Sequence, residues 1–165
     1  MKKITQPGQD RQAVIGWKEW LSLPDLGIPA IKAKIDTGAR TSALHTFSMD
    51  TFTRDGLPMV RFGIHPLQKR RDIALFCEAP VVDRRRIKDS GGHSEMRYVI
   101  ASSLVLGNMH WPIEITLTSR DAMMFRMLLG RTALKNNVMV DPARSYAAGR
   151  KLSRTYTAKT KKGDV

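Results

Sequence analysis

The 165-residue chain is 42% apolar and carries 28 basic against 15 acidic side chains, a formal charge of +13. Its length suits one domain with a real hydrophobic core, and the single cysteine, Cys77, excludes an intramolecular disulfide framework and points to a reducing, cytoplasmic setting. The longest apolar run, 101–107, is too short to cross a bilayer, and the polar stretch 1–12 has no secretory signal and reads as a flexible N-terminus.

Branched and aromatic residues predict strands over 14–23 and 30–35, separated by turn signals at Pro24 and Gly27. Strands over 42–53 and 59–65 flank Arg54-Asp55-Gly56, whose Asp-Gly pair is a hairpin signal. Strands over 73–82 and 96–106 flank a basic turn centred on Ser90-Gly91-Gly92, and Gly107-Asn108 turns the chain into a strand over 110–118. A short helix over 131–136 follows a glycine, then a strand over 138–141. Many short strands with one late helix predict a mainly β domain over 13–142, a closed or partly closed barrel. From Pro142 the apolar pattern fades, so 143–165 reads as a basic, flexible tail.

The charge is clustered. Lys69-Arg70-Arg71, Arg84-Arg85-Arg86 and the basic residues of the tail each form a group, and a field of that sign attracts nucleic acid, anionic membrane or acidic polypeptide. Each cluster also has a plain reading as a solvated face.

The sharpest local signal is Ala33-Lys34-Ile35-Asp36-Thr37-Gly38-Ala39, a strand that delivers a carboxylate into a tight, glycine-permitted turn. Taken alone, Asp-Thr-Gly also spells an ordinary turn in which the aspartate bonds its own backbone. The second element is Met127-Leu128-Leu129-Gly130-Arg131, before the helix. In this order the two resemble the retroviral-type aspartic peptidases, across roughly 30–134. More narrowly, residues 34–44, Val82-Asp83-Arg84-Arg85, Ser90-Gly91-Gly92 and 127–134 resemble the bacterial family labelled "ATP-dependent zinc protease", associated with enzymes that add glutamate to the C-terminus of a ribosomal protein.

The resemblance implies a closed retropepsin-like acid-protease barrel in which Asp36 is the catalytic carboxylate. Thr37 would brace the turn against a partner subunit, Gly38 would offer its N–H to the carboxylate, and Ala39 would complete the turn. Ser90, Gly91 and Gly92 would form a flap. Leu128, Leu129, Gly130 and Arg131 would support the site, with Arg131 tying the helix start to neighbouring backbone. Arg40, where viral enzymes carry a small polar or acidic residue, puts cationic charge beside the site. Strand alternation puts Arg84 and Arg86 together on a substrate-facing side of the flap and Arg85 on the other.

The label's cofactors find no support in the residues, so no cofactor and no metal is expected. His45, His65, His93 and His110 are scattered singly, and neither His-Glu-x-x-His nor a phosphate-cradling Gly-x-x-x-x-Gly-Lys motif occurs. An aspartic mechanism needs two carboxylates sharing a proton. Asp89-Ser90-Gly91 repeats the motif, but its basic approach suits a mobile hairpin tip better than a rigidly held base, so the second carboxylate is expected from Asp36 of another subunit, in a homodimer. The expected function is an aspartic endopeptidase acting on acidic, glutamate-rich peptide, with a functional link to a glutamate ligase. The competing readings are a non-catalytic basic barrel that docks on ribosomal RNA or another polyanion, and a metallohydrolase as the label says.

Overall fold

The computed structural model describes residues 12–88, 91–119 and 124–156. The first strands are β1 (Ala13–Ile15), β2 (Lys18–Leu23), β3 (Ile28–Ile35), β4 (Ser42–His45), β5 (Ser48–Arg54) and β6 (Leu57–Ile64). They are followed by β7 (Leu75–Pro80), β8 (Asp83–Lys88), β9 (Ser94–Leu106), β10 (Met109–Thr118), β11 (Met127–Leu129), the short helix α1 (Arg131–Leu134) and β12 (Val138–Val140).

The largest sheet runs in the order β10-β4-β11-β3-β2-β9, and β9 pairs back onto β10, so this strand order closes on itself. Closure removes the unpaired edges that an open sheet exposes. β8 is an arm carried on the outer half of β9, and β5-β6-β7 form a separate antiparallel sheet. Alternation does the sorting: in β2 every second residue, Glu19, Leu21 and Leu23, is buried while Lys18, Trp20 and Ser22 face outward. Leu21, Ile31, Leu44, Ile100, Leu104, Ile115 and Leu129 fill one core, into which the second sheet inserts Val60, Phe62, Ile64 and Cys77.

The mainly β class agrees with the sequence expectation, while several boundaries differ for identifiable reasons. The strand expected over 14–23 breaks at Gly16, where a Cβ would lie 2.3 Å from the carbonyl oxygen of Arg144. β1 leaves there to pair in parallel with β12. The strand expected over 42–53 divides because β4 pairs with β10 and β11, whereas β5 joins the second sheet. The expected partnership of 73–82 with 96–106 is also corrected: β7 pairs with β6, and β8 is the arm that meets the first half of β9.

The flexible tail expected from 143 does not describe residues 143–156. The backbone N–H groups of Ala147 and Ala148 donate to the Glu19 carboxylate at 2.8 and 2.9 Å, and Gly16 donates a third bond at 2.7 Å. Tyr156 is 1% exposed and its hydroxyl donates to the Ala30 carbonyl. One buried aromatic and one buried carboxylate hold a segment whose composition reads as linker. The remaining tail and the N-terminal segment before Gln12 lie outside the described residues. Among the described residues no helix is long and apolar enough to cross a membrane.

Candidate active site

β3 ends at buried Ile35, and the next N–H, that of Asp36, donates to the Leu129 carbonyl at 2.8 Å. The turn that follows is held from inside and outside. Inside, Asp36 Oδ1 accepts the Gly38 N–H at 3.0 Å and the Ala39 N–H at 3.2 Å. Outside, Arg131 Nη1 donates to the carbonyls of Thr37 and Gly38 at 3.2 and 2.8 Å, and the Arg131 N–H donates to the Ala39 carbonyl at 2.8 Å. β11 runs parallel to β3 with Leu128 beside Lys34 and Leu129 beside Ile35, so Leu128-Leu129-Gly130-Arg131 and the Asp36 turn form one unit. Gly130 is required by contact: a Cβ there would sit 2.6 Å from the Thr41 carbonyl carbon. Its N–H donates to Ser42 Oγ at 3.1 Å.

Asp36 is half-buried, and Thr37, Gly38 and Arg40 are exposed. They open onto a cleft of about 1220 Å³ whose floor includes Asp36, Ala39, Arg40 and Leu128. The opposite wall comes from β8 and β9, with Arg86, Ile87, Lys88 and Arg97. Six cationic side chains border this space, Arg40, Arg85, Arg86, Lys88, Arg97 and Arg131, against the carboxylates of Asp36 and Glu114. Charges of one sign around a walled cleft concentrate counter-ions of the other.

The residues expected to form a flap fall at the β8–β9 hairpin. Gly91 and Gly92 lie at its turn, Gly92 with φ +86°, while Ser90 and Asp89 lie outside the described residues. The facing of its arginines differs from the expectation. Asp83 pairs with buried Val99, so 83, 85 and 87 share the inward face with 97 and 99. Arg85 therefore turns toward the cleft, bonding Glu114 at 3.0 Å and Asp83 at 2.7 Å. Arg84 faces away, its guanidinium 5.3 Å from the Tyr98 ring in a separate groove beside Phe52. Arg86 lies at the rim of the Asp36 cleft, where its Nη1 reaches Ser94 Oγ at 3.5 Å. The Arg85 guanidinium and the Arg84 N–H hold the Asp83 carboxyl below the usual carboxylate range.

Sequence reasoning passed over Arg97 and Glu114, which border the cleft together with Lys88 and His45. Arg97 was within reach of the hairpin pattern, since it lies on one of its arms. His45 is 4% exposed, with Nδ1 2.8 Å from Thr118 Oγ1. Among the described residues no group of three or more His, Cys, Asp or Glu side chains is placed to hold a metal ion.

Comparison with known proteins places this geometry. Residues 14–151 match the family model described as "Retropepsin-like aspartic endopeptidase RimB". A probable alpha-L-glutamate ligase of Shewanella pealeana is 50% identical over 157 residues, covering 93% of this chain and 34% of that protein. One of Parasynechococcus marenigrum is 50% identical over 139 residues, covering 84% and 30%. The chain thus spans about a third of the length of these curated relatives. A crystal structure of a Legionella pneumophila protein of unknown function superposes with a TM-score of 0.67 at 28% identity, covering 84% of this chain and 99% of that one. The chain belongs to the RimB-like family of retropepsin-like aspartic endopeptidases.

Proposed function

We propose that this protein is an aspartic endopeptidase that works as a homodimer on acidic, glutamate-rich peptides. The observation that carries this reading is the Asp36 turn: a carboxylate oriented by two backbone N–H groups, at the floor of a cationic cleft. Two such turns related by a two-fold axis bring two Asp36 carboxylates together, and like charges at that distance share one proton. The ionised carboxylate takes a proton from water as its oxygen attacks the peptide carbonyl carbon. The protonated one gives its proton to the carbonyl oxygen, and return of a proton to the amide nitrogen releases the two products. Thr37 is exposed beside Asp36, which supports a role at the surface that such a pairing would bury.

Arg40 and Arg86 at the cleft support recognition of substrate carboxylates. Several relatives bear the name of glutamate ligases. A ligase that adds glutamate makes acidic chains, and we infer that this cleft removes or shortens such chains. The test is Asp36→Asn protein incubated with glutamate-rich and plain peptides, with product masses read. Cleavage of the acidic peptide by the native protein and none by Asp36→Asn supports the reading; cleavage surviving in the folded variant ends it.

A further inference from the structure

The outer face of β2 and β3 gathers cations and aromatic rings away from the Asp36 cleft. Register sets Lys18 directly opposite Lys34, and Trp20 opposite Lys32. The Tyr146 N–H donates to the Lys18 carbonyl at 3.0 Å, which lays the segment after β12 over the same face. Tyr146 is then the hub: Lys18 Nζ lies 5.1 Å, Lys32 Nζ 5.7 Å and the Arg150 guanidinium 4.5 Å from its ring. Lys18 also lies 4.8 Å from the Trp17 ring, and Lys32 5.5 Å from that of Trp20.

Among the described residues no acid on this face neutralises that charge. Glu19, the one acid of β2, points inward and is fully buried, β3 has no acid, and among the described residues Lys18, Lys32, Lys34 and Arg150 form no ion pair. Like charges directly opposite on paired strands are destabilising, and the ring quadrupoles offset this only in part. A polyanion laid on the face relieves it.

We propose that this face binds single-stranded RNA. Side chains on one side of a strand repeat every ~6.6 Å, a spacing that lets successive cations meet successive phosphates of an extended strand. An acidic peptide could use the same cations, but it gains nothing from aromatic surface, whereas every base has a face to stack. Trp17, at 37% exposure, and half-buried Trp20 and Tyr146 supply that surface. Ser22 lies on the same side of β2, and Gln68 accepts from Lys32 Nζ at 2.9 Å. These neutral hydrogen-bonding groups beside the cations suit a ribose 2′-hydroxyl, which favours RNA over DNA.

The test is fluorescence anisotropy of the full chain with labelled oligo-uridylate and oligo-deoxythymidylate across a salt series. Lys18→Ser/Lys32→Ser, folded by circular dichroism, is expected to weaken oligo-uridylate binding about tenfold and to flatten the log–log salt slope by about 1.4, the loss of two single-strand phosphate contacts. Trp20→Leu is expected to weaken binding with the slope unchanged. Arg86→Ser/Lys88→Ser, in the cleft, is expected to bind as the native protein does. The proposal is overturned if the Lys18→Ser/Lys32→Ser protein binds normally, or if the cleft variant is the one that loses affinity. It is equally overturned if polyglutamate displaces the RNA residue for residue, or if oligo-deoxythymidylate binds as tightly.

Discussion

Arg131 and Gly38 stand 93 residues apart in sequence and are joined by a 2.8 Å bond from the guanidinium Nη1 to the carbonyl oxygen. The same nitrogen also serves Thr37, so one planar group fixes the outer side of the turn whose inner side is fixed by Asp36 itself. Arg131→Lys keeps the charge but loses the fixed fork. It is expected to lower stability by about 1–3 kcal/mol, measured as a reduced urea midpoint at unchanged slope, and to lower peptide turnover by loosening the carboxylate. A midpoint equal to that of the native protein would show that the bond does not hold the turn.

Thr37 is exposed and adjoins the carboxylate that a second subunit would meet in the proposed homodimer. Thr37→Val is expected to weaken the homodimer by roughly 1–3 kcal/mol, because a dry interface leaves the partner of a lost hydroxyl unsatisfied. Sedimentation equilibrium reads this directly. Dimer affinity that does not change removes Thr37 from the interface.

Two positions on one face of β8 make a sharper test of specificity than its total charge. Arg86 borders the cleft and Arg84 stacks on Tyr98 elsewhere. Arg86→Gln is expected to reduce turnover of glutamate-rich peptides several-fold, and Arg84→Gln to leave it near the native rate. Exposed charge pairs are worth about 1 kcal/mol or less, so the effect is modest and raised salt should mimic it. Equal losses on acidic and neutral peptides would mean that Arg86 does not read substrate charge.

Alkaline pH should destabilise the fold through two buried acids. Burial pushes the Cys77 thiol from 9.0 to about 12, and the Tyr156 hydroxyl from 10.0 to about 12. Below pH 9 both folded and unfolded chains keep these protons, and stability is unaffected. Between 9 and 12 the unfolded chain releases protons that the folded one retains, so stability falls as pH rises. Once the unfolded thiol is ionised, Cys77 alone contributes a slope of about 1.4 kcal/mol per pH unit. Urea midpoints of native and Cys77→Ala proteins at pH 8 and 11 check this, the variant losing less on the shift.

Much of the site was legible because it is local. Ile35-Asp36-Thr37-Gly38 is a strand, a turn and a carboxylate in four residues, and Leu129-Gly130-Arg131 has an apolar-to-helix change that shows in the sequence. What escaped notice depended on distant pairing. The inward turn of Arg85 follows from the Asp83–Val99 register, and no local pattern in Arg84-Arg85-Arg86 reveals which parity the neighbouring strand imposes. The break at Gly16 likewise depends on the Arg144 carbonyl, far along the chain.

The three N–H donors on Glu19 also set where this domain can be cut. A chain ended at Pro142 keeps the Gly16 bond and loses those of Ala147 and Ala148, along with the Tyr156 plug. Its carboxylate would then keep one of its three donors, and hydrogen bonds to a charged group are worth roughly 1.5–3 kcal/mol each, a large share of a small domain's stability. An excised fragment therefore has to run through Tyr156 to fold, and any neighbour spliced on at this end needs its linker beyond that residue.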